Sequence, residues 1–467
     1  MTKNNLFEFD GSTKGKEETV SAKELRSLEI LLPVDGFPAF EEIAHGDLLS
    51  LTLSVNTTAF THGLHRFPAK YIPQIPRWAI QQFASEESIV LDPFMGSGTT
   101  IVEGLRYAKH SIGIDVDPLA RLIARAKTSQ YDIGNLARLS EEIFAARDTD
   151  DVECYLPMGG VKNIPHWFND GAWQGLCKIF TVIDRMKCTP TEKEFFLCVF
   201  SSVLRWVSNA DDQTQKTYVS GTLIKKPPEV WETFSRALSK AMAGVGSLAE
   251  VRNSGTCSVL DSSALEMSLE SDTVDLIVTS PPYVDSVDYM YNFMLEYFWL
   301  GPILGVSTRQ EYNARRRSPI GAKNPTLRAN LPLELEGLVD PSTMPLYRRD
   351  ATIAYFSAMR VHFTEAARVM KFGARYVLVV GNSQAESGVI PVHDCLLRLA
   401  KAAGLHLEKA FAYRIRRHYM KFPRKGKGGI ILMDWVIILR KTSQAILPHE
   451  ERLPIPNVTI GDNEVAH

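Results

Sequence analysis

Residues 88–100 read SIVLDPFMGSGTT, an apolar run followed by a glycine-containing loop and then by helix-forming residues. Ser88 to Asp92 predicts a buried β-strand, and Thr99 to Tyr107 predicts an α-helix. Gly96 and Gly98 allow the backbone between them to turn sharply and to approach a ligand without a Cβ clash. A strand, a glycine turn and a helix in this order are typical of nucleotide-binding α/β proteins.

A second predicted strand, Ser111 to Asp115, ends in an acid that can accept hydrogen bonds from a ribose diol. Phosphates are not expected on the ligand. No lysine precedes Thr99 and Thr100 as a P-loop requires, and Ile101 stands where a dinucleotide fingerprint has its third glycine. S-adenosylmethionine fits better, because Asp92 at the strand tip would repel a pyrophosphate but attract an ammonium group.

Later apolar runs continue the alternation of strands and helices. The predicted strands are Cys257 to Asp261, Val274 to Thr279, Arg375 to Val380 and Trp435 to Arg440. Such alternation builds a doubly wound, mostly parallel sheet with helices on both faces. The sequence therefore predicts an α/β fold in which a ligand binds at the carboxyl ends of the strands.

The segment VDLIVTSPPY (274–283) is a predicted buried strand that ends in two prolines and an aromatic residue. The prolines stiffen the loop and leave carbonyl groups free to accept hydrogen bonds. If the substrate is an exocyclic NH2 group of a base, the Ser280 hydroxyl and the Pro281 carbonyl can accept its two hydrogens. The Tyr283 ring can stack on a base extruded from its helix, a contact worth about 1–3 kcal/mol. A proline turn or a polyproline ligand would not explain why this motif follows a buried strand.

These two segments resemble motifs of the DNA amino-methyltransferase family, whose members make N6-methyladenine or N4-methylcytosine. LDPFMGSGTT (91–100) resembles the cofactor motif I, and TSPPY (279–283) resembles the catalytic motif IV. His62 to Pro73 is similar to motif X, which lies over the methionine end of the cofactor. The acids of motifs II and III fall at Asp115 and Asp261.

The resemblance implies S-adenosylmethionine as the cofactor and no metal. The cofactor-binding residues that it implies are Lys70, Asp92, Pro93, Phe94, Gly96, Ser97, Gly98, Thr99, Asp115 and Asp261. The catalytic residues that it implies are Ser280, Pro281, Pro282 and Tyr283.

Membership would also imply a Rossmann-like methyltransferase fold with a seven-stranded sheet and a reversed last hairpin, which here ends in Trp435 to Lys441. The resemblance covers about residues 55–130, 255–300 and 352–442. The connection before Asp261 is much longer here than the short one usual in the family. We accordingly divide the chain into an N-terminal segment (1–50), a catalytic core (51–130, 250–300 and 352–442), a helical insert (131–249), a loop-rich candidate target-recognition region (301–351) and a flexible tail (443–467).

The residue before the two prolines of motif IV is Ser280 in this sequence, whereas adenine enzymes commonly have Asp or Asn at this position. Serine at this place is more frequent among N4-cytosine enzymes. The resemblance thus favours site-specific methylation of cytosine N4, by direct in-line displacement on a flipped base, with N6-adenine as the alternative. The chain contains no Pro-Cys dipeptide of the carbon-5 type, so no covalent base intermediate is expected.

Two further alternatives are an RNA amino-methyltransferase and a non-catalytic DNA-binding relative. The first shares the motifs, although the N-terminal part of the sequence contains no recognisable RNA-binding module. The second would be expected to have lost Asp92, Gly96 or Tyr283, all of which are present.

The formal net charge is −2, so contacts with double-stranded DNA are expected from local basic clusters. The candidates are Arg315, Arg316 and Arg317 in the loop-rich region, and Arg414, Arg416, Arg417, Lys421 and Arg424 in the last hairpin. The loop-rich region follows the catalytic loop directly and is therefore favoured over the helical insert for base contacts. A cognate restriction endonuclease or another phage-defence protein is a candidate partner.

No stretch approaches the ~20 apolar residues of a membrane span, and residues 1–10 contain no apolar signal-peptide core. A cytoplasmic location is therefore expected. The six cysteines are scattered without a Cys-x-x-Cys pair, which argues against a structural zinc site.

Overall fold

A computed structural model of the chain describes residues 29–32, 36–51, 56–108, 110–149, 157–253 except 213, 215 and 223, 255–284, 288–322, 325, 329–381, 383–385, 388–414 and 433–443. Its strands are β1 (Glu29–Leu32), β2 (Leu48–Leu51), β3 (Ile89–Asp92), β4 (His110–Ile114), β5 (Thr256–Leu260), β6 (Val274–Thr279), β7 (Met370–Val380), β8 (Ser383–Ala385), β9 (Gly388–Ile390), β10 (Leu405–Arg414) and β11 (Met433–Lys441). Its helices are α1 (Gln74–Phe83), α2 (Thr99–Tyr107), α3 (Pro118–Thr128), α4 (Ile133–Ala145), α5 (Ile164–Trp167), α6 (Asp170–Arg185), α7 (Pro190–Val207), α8 (Val230–Val251), α9 (Tyr289–Asn292), α10 (Met294–Leu300), α11 (Arg309–Arg315), α12 (Leu346–Val369) and α13 (Val392–Ala402).

Within the described residues, nine strands form one sheet in the order β1-β2-β10-β11-β7-β6-β3-β4-β5. Strand β3 pairs in parallel with β4 and β6, and these pair in parallel with β5 and β7. Strand β11 is antiparallel to both of its neighbours, β7 and β10. The chain leaves β3 toward β4 on one side and later returns to β6 on the other, which opens a crevice at the carboxyl end of β3.

The predicted fold class is confirmed. The mostly parallel seven-stranded sheet is present, in the order β5-β4-β3-β6-β7-β11-β10. Its reversed strand is β11, the last along the chain, which forms a hairpin with β10. The sheet is larger than predicted, because β2 pairs in parallel with β10 and β1 pairs with β2. These two strands have four residues each, too few for a clear alternation of apolar and polar positions.

Helices cover both faces of the sheet, and the alternation along β7 shows how. Leu378 contributes to the apolar cluster under α12 and α13, together with Phe363 and Leu399. Its neighbour Val377 contributes to the cluster under α1 on the opposite face. Successive residues of β7 are therefore buried on both sides, as expected for a central strand between two layers of helices. None of the helices in the described ranges is both long and apolar enough to span a bilayer.

Residues between β4 and β5 contain the helices α3 to α8, and most of them belong to the predicted helical insert. Helix α7 is the centre of this region, with Phe195 and Phe200 fully buried. They belong to one apolar cluster with Leu122 of α3 and Trp299 of α10. The insert thus packs on the core helices rather than forming a separate globule.

Two helical glycines provide a test of this packing. A Cβ added to Gly104 of α2 would lie 1.9 Å from the Ser111 hydroxyl oxygen and 2.9 Å from its Cβ on β4, whereas one added to Gly246 of α8 would meet nothing within 4 Å. We expect Gly104→Ala to destabilise the protein by about 1–3 kcal/mol through overpacking. Gly246→Ala is the matched control and should stabilise it by about 0.5–1 kcal/mol. Thermal unfolding of both variants measures the difference, and equal melting temperatures would contradict the described packing of α2 on β4.

Candidate active site

A cavity opens at the carboxyl ends of β3, β4 and β6, in the crevice that the strand order creates. It brings together residues that are far apart in sequence. Of the predicted cofactor-binding residues, the cavity lining includes Lys70, Pro93, Phe94, Gly96, Ser97, Thr99 and Asp115. Of the predicted catalytic residues, it includes Ser280 and Pro282. The glycine loop and the catalytic loop therefore face one common space.

Asp92 at the end of β3 does not line this cavity, contrary to the expectation that it attracts an ammonium group. Its carboxylate is fully buried behind the glycine loop. One oxygen accepts hydrogen bonds from the Phe94 backbone N–H (3.1 Å) and the Thr279 hydroxyl (2.6 Å), and the other accepts one from Thr100 Oγ1 (2.5 Å). Burial raises the pKa of Asp92 to about 6, although these hydrogen bonds favour the charged form. The residue holds the glycine loop and the end of β6 together.

The glycine loop adopts backbone conformations that its two glycines permit. Gly96 and Gly98 have φ angles of +50° and +82°, in the left-handed region that other residues adopt at a cost. Gly98 precedes α2 and does not line the cavity; its α-carbon faces Ile101 and Ala124. Gly96 lines the cavity and donates its N–H to Asp115 Oδ2 over 3.0 Å. The two glycines thus have different roles, one in shaping the helix start and one in the cavity.

Two acids from the loop after β4 line the cavity. Asp115 accepts the N–H of Gly96 and, through Oδ1, the N–H of Asp117 (2.8 Å). Burial and then the nearby charge of Asp117 raise the pKa of Asp115 to about 7. Asp117 accepts from the Leu119 N–H and the Tyr297 hydroxyl through Oδ1, while its buried Oδ2 has no hydrogen-bond partner among the described residues. Asp117 is not among the cofactor-binding residues predicted from the sequence, although the pattern D-x-D at 115–117 indicates a second acid at this place.

The segment that resembles motif X supplies the cationic side of the cavity. Lys70 lines it, and its ammonium group donates to the His62 carbonyl oxygen over 2.9 Å. His62 is held by the buried Glu103 of α2, since their side chains are 2.8 Å apart. Although burial alone would raise the pKa of Glu103, hydrogen bonds from His62 and Arg77 hold it at about 2. Glu103 thereby fixes the motif X segment beside the cofactor loop.

These groups fit S-adenosylmethionine in three respects. Lys70 offers a cation for the carboxylate of its methionine part. Asp115 and the unpaired Asp117 Oδ2 offer acceptors for ribose hydroxyls. Ser97 Oγ is a further buried group of the cavity lining without a hydrogen-bond partner in the described part of the chain. Buried polar atoms without partners are rare in folded proteins and indicate a ligand that completes them.

Asp261 is placed differently from the prediction. It follows β5 but does not line the cavity, and its side chain is 79% exposed and forms an ion pair with Arg121 (2.8 Å). The cavity wall at this place is formed by Ser263, Ala264 and Leu265. After β5 the cavity lining therefore begins two residues beyond Asp261, whose exposed carboxylate pairs with Arg121.

The catalytic loop also divides into two sets of residues. Ser280 and Pro282 line the cavity, whereas Pro281 is buried and neither it nor Tyr283 belongs to the lining. The Tyr283 hydroxyl donates to Asp434 Oδ1 on β11 over 3.0 Å. Burial and the charge of Asp434 raise the pKa of Tyr283 well above its usual value, so the phenol is neutral.

A segment of the loop-rich region crosses this loop. Ser318, Pro319 and Ile320 line the cavity, and a Cβ added to Gly321 would lie 2.8 Å from the Tyr283 carbonyl oxygen. Tyr289 and Met290 of α9 complete the wall on the same side. These residues are not among the predicted site residues, because only the fold shows which part of a loop-rich region lies beside the site.

The arginines and lysine predicted to contact nucleic acid differ in their exposure to solvent, and some lie outside the described residues. Arg315 and Arg317 are exposed, directly before the segment that lines the cavity. Arg316 is half-buried and forms an ion pair with Asp288, and its guanidinium lies 4.8 Å from the centre of the Tyr291 ring. Arg414 is half-buried at the end of β10, and Arg416, Arg417, Lys421 and Arg424 lie outside the described residues.

Comparisons with known proteins agree with this geometry. A family model described as DNA methylase, for the N6 and N4 class, matches residues 46–125, which include the glycine loop and Asp115. The type II methyltransferase M.MvaI of Kocuria varians is 26% identical over 408 residues, which cover 80% of this chain and 86% of that protein. The type II methyltransferase M.BsoBI of Geobacillus stearothermophilus is 21% identical over 278 residues, which cover 54% of this chain and 55% of that protein.

Over residues 46–125 the chain thus matches the N6 and N4 class of DNA methylases, and over 80% of its length it is similar to a type II methyltransferase. S-adenosylmethionine is accordingly its cofactor, as the residues of the cavity indicate. Among solved structures, a SAM-dependent methyltransferase from Methanosarcina mazei matches with a TM-score of 0.27 and 12% identity, over 78% of this chain and 96% of that one. Because that score is low, the likeness to DNA amino-methyltransferases depends on the sequence relatives and on the residues of the site.

The two acids at the ends of β4 and β5 give a direct test of the cofactor site. Asp115→Ala should weaken binding of S-adenosylmethionine about tenfold or more, because a hydrogen bond to a charged group contributes about 1.5–3 kcal/mol. Asp261→Ala removes an acid of the same type from an exposed ion pair and should change the affinity by less than about twofold. Titration calorimetry compares the two variants. Equal losses would show that the cavity does not hold the ribose as described.

Proposed function

We propose that this protein transfers a methyl group from S-adenosylmethionine to an exocyclic amino group of a base in double-stranded DNA, with N4 of cytosine favoured. The single observation that supports this most is the common cavity. Gly96 and Asp115 from the cofactor side share its lining with Ser280 and Pro282 from the catalytic loop. A methyl group can pass between two ligands only if both are held in one space.

When bound, S-adenosylmethionine supplies a methyl group activated by a positively charged sulfur. Lys70 would hold its carboxylate and Asp115 with Asp117 would hold its ribose. The positive and negative side chains lie at separate parts of the cavity wall and would orient the ligand. Its carboxylate fits beside the lysine, and its ribose hydroxyls fit beside the acids.

The catalytic loop would orient the amine. The Ser280 hydroxyl lies in the cavity lining and can accept one amino hydrogen, and the Pro281 carbonyl is proposed to accept the other. The nitrogen lone pair then points away from both acceptors and toward the methyl group. Ser280 and Pro281 would in this way present the amine for direct methyl transfer, with S-adenosylhomocysteine as the leaving group, and the methylated nitrogen would then release a proton to water.

The choice of cytosine depends on Ser280 at the first position of the motif, as the family resemblance suggests. Methylation of adenine N6 is the alternative, and methylation of RNA is a more distant one. The structure adds a feature relevant to the base, since Ser318 to Ile320 form a wall of the cavity beside the catalytic loop. This position supports the loop-rich region as the part that contacts the target base.

DNA binding is proposed to involve the exposed Arg315 and Arg317 next to that wall. Phosphate contacts by these residues would hold the duplex with its target base over the cavity. Relatives that are named type II methyltransferases favour a role in restriction–modification, with a cognate endonuclease as the partner.

The proposed roles in the catalytic loop predict a separation of binding from chemistry. Ser280→Ala and Tyr283→Ala should each lower kcat at least about 100-fold, because the amine and its base lose their positions. The affinity for S-adenosylmethionine should stay within about threefold of that of the unaltered protein. Transfer of tritiated methyl groups to DNA measures the first quantity and calorimetry the second. Methylation at the original rate by either variant would overturn the corresponding assignment.

The identity of the base is predicted to be cytosine. Single-molecule sequencing of DNA from cells that express the protein should show N4-methylcytosine within one recurrent sequence. DNA from cells that express Ser280→Ala is the matched control and should lack the modification. N6-methyladenine alone would replace cytosine by adenine, and the absence of any modified DNA would favour the RNA alternative.

A further inference from the structure

Asp434 is a buried acid that the proposed chemistry has not used. It lies near the start of β11 and is 7% exposed. Its neighbour Trp435 pairs with Val380, the last residue of β7, so Asp434 lies just beyond the carboxyl end of that strand. This edge of the sheet is the one from which the catalytic loop extends after β6.

The position of Asp434 has an energetic cost. A carboxylate removed from water is destabilising unless a cation or hydrogen-bond donors compensate for it. In the ranges that the structure describes, no lysine or arginine forms an ion pair with Asp434, and burial raises its pKa to about 6. Its Oδ1 accepts a hydrogen bond from the Tyr283 hydroxyl over 3.0 Å. An acid retained in such a place indicates a role other than stability.

The bond to Asp434 restrains the Tyr283 side chain at its far end. Tyr283 follows two prolines, so its backbone is already stiff on the N-terminal side. An aromatic side chain has two torsion angles, and the hydroxyl oxygen lies on the axis of the second, so the bond to Asp434 restrains the first directly. Because a phenolic O–H lies in the plane of its ring, the bond also favours ring orientations in which Asp434 Oδ1 is near that plane. The ring is thereby restrained from two places, the loop after β6 and strand β11.

We propose that Asp434 is a positioning residue that fixes the Tyr283 ring in the orientation that stacks on the target base. The inference is based on the proposed role of Tyr283 in base stacking. Asp434 acts only through the tyrosine hydroxyl and does not contact the cofactor. Its effect is therefore on the presentation of the base, which changes kcat, and not on binding of S-adenosylmethionine.

Four variants of the full chain test this inference. Tyr283→Phe removes the donor and keeps the ring, and Asp434→Leu replaces the acceptor with an apolar side chain that branches at the same atom. Each should lower kcat about tenfold, in line with the loss of a hydrogen bond to a charged group, with KM for S-adenosylmethionine within about twofold. The double variant should be no slower than either single one, because both remove the same bond. Asp434→Asn keeps an acceptor oxygen and should retain kcat within about threefold.

Several results would overturn the inference. An unchanged kcat for Tyr283→Phe would do so, even if Asp434→Leu fails to fold. Additive losses in the double variant, or a rise in KM for S-adenosylmethionine with kcat unchanged, would assign Asp434 a role independent of the tyrosine. Failure of the proposed function itself is recognised separately, since the unaltered protein would then leave DNA unmethylated.

Discussion

The carboxylate of Asp92 joins the two halves of the site. It is buried at the end of β3, where it binds the start of the glycine loop through Phe94, the first turn of α2 through Thr100 and the end of β6 through Thr279. These hydrogen bonds fix the cofactor loop relative to the catalytic loop that follows Thr279. Neighbouring parallel strands bring the two loops to the same edge of the sheet, and Asp92 sets the distance between them.

Charge is distributed along the cavity in a way that suits one ligand with several functional groups. The acids Asp115 and Asp117 are concentrated after β4, where burial raises the pKa of both carboxyl groups. Lys70 comes from the opposite side, on a segment anchored by Glu103. The protein thus holds partly desolvated acids and a cation around one cavity, and the polar groups of a ligand can replace their lost hydration.

Much of this arrangement could be predicted from the sequence, because the segments around Gly96 and Ser280 combine local turn chemistry with adjacent buried strands. Such information is encoded within about ten residues and does not depend on distant contacts. Asp261 shows the limit, because the sequence does not indicate whether the residue after a strand lines the cavity or, as here, pairs with Arg121 at the surface. Asp92 shows another limit: sequence gives the strand tip but not whether a side chain faces the ligand or the core.

The short strands β1 and β2 have a consequence for the behaviour of the protein in solution. Without them, the long β10 would end the sheet and expose backbone N–H and C=O groups over much of its length. Such an edge can recruit another chain and begin aggregation. Strand β2 pairs with Ala412 and Tyr413 near the end of β10, and the outermost strand β1 has four residues. These two strands therefore close the carboxyl-terminal part of β10 to pairing with another chain, and the edge that they present in its place is only four residues long.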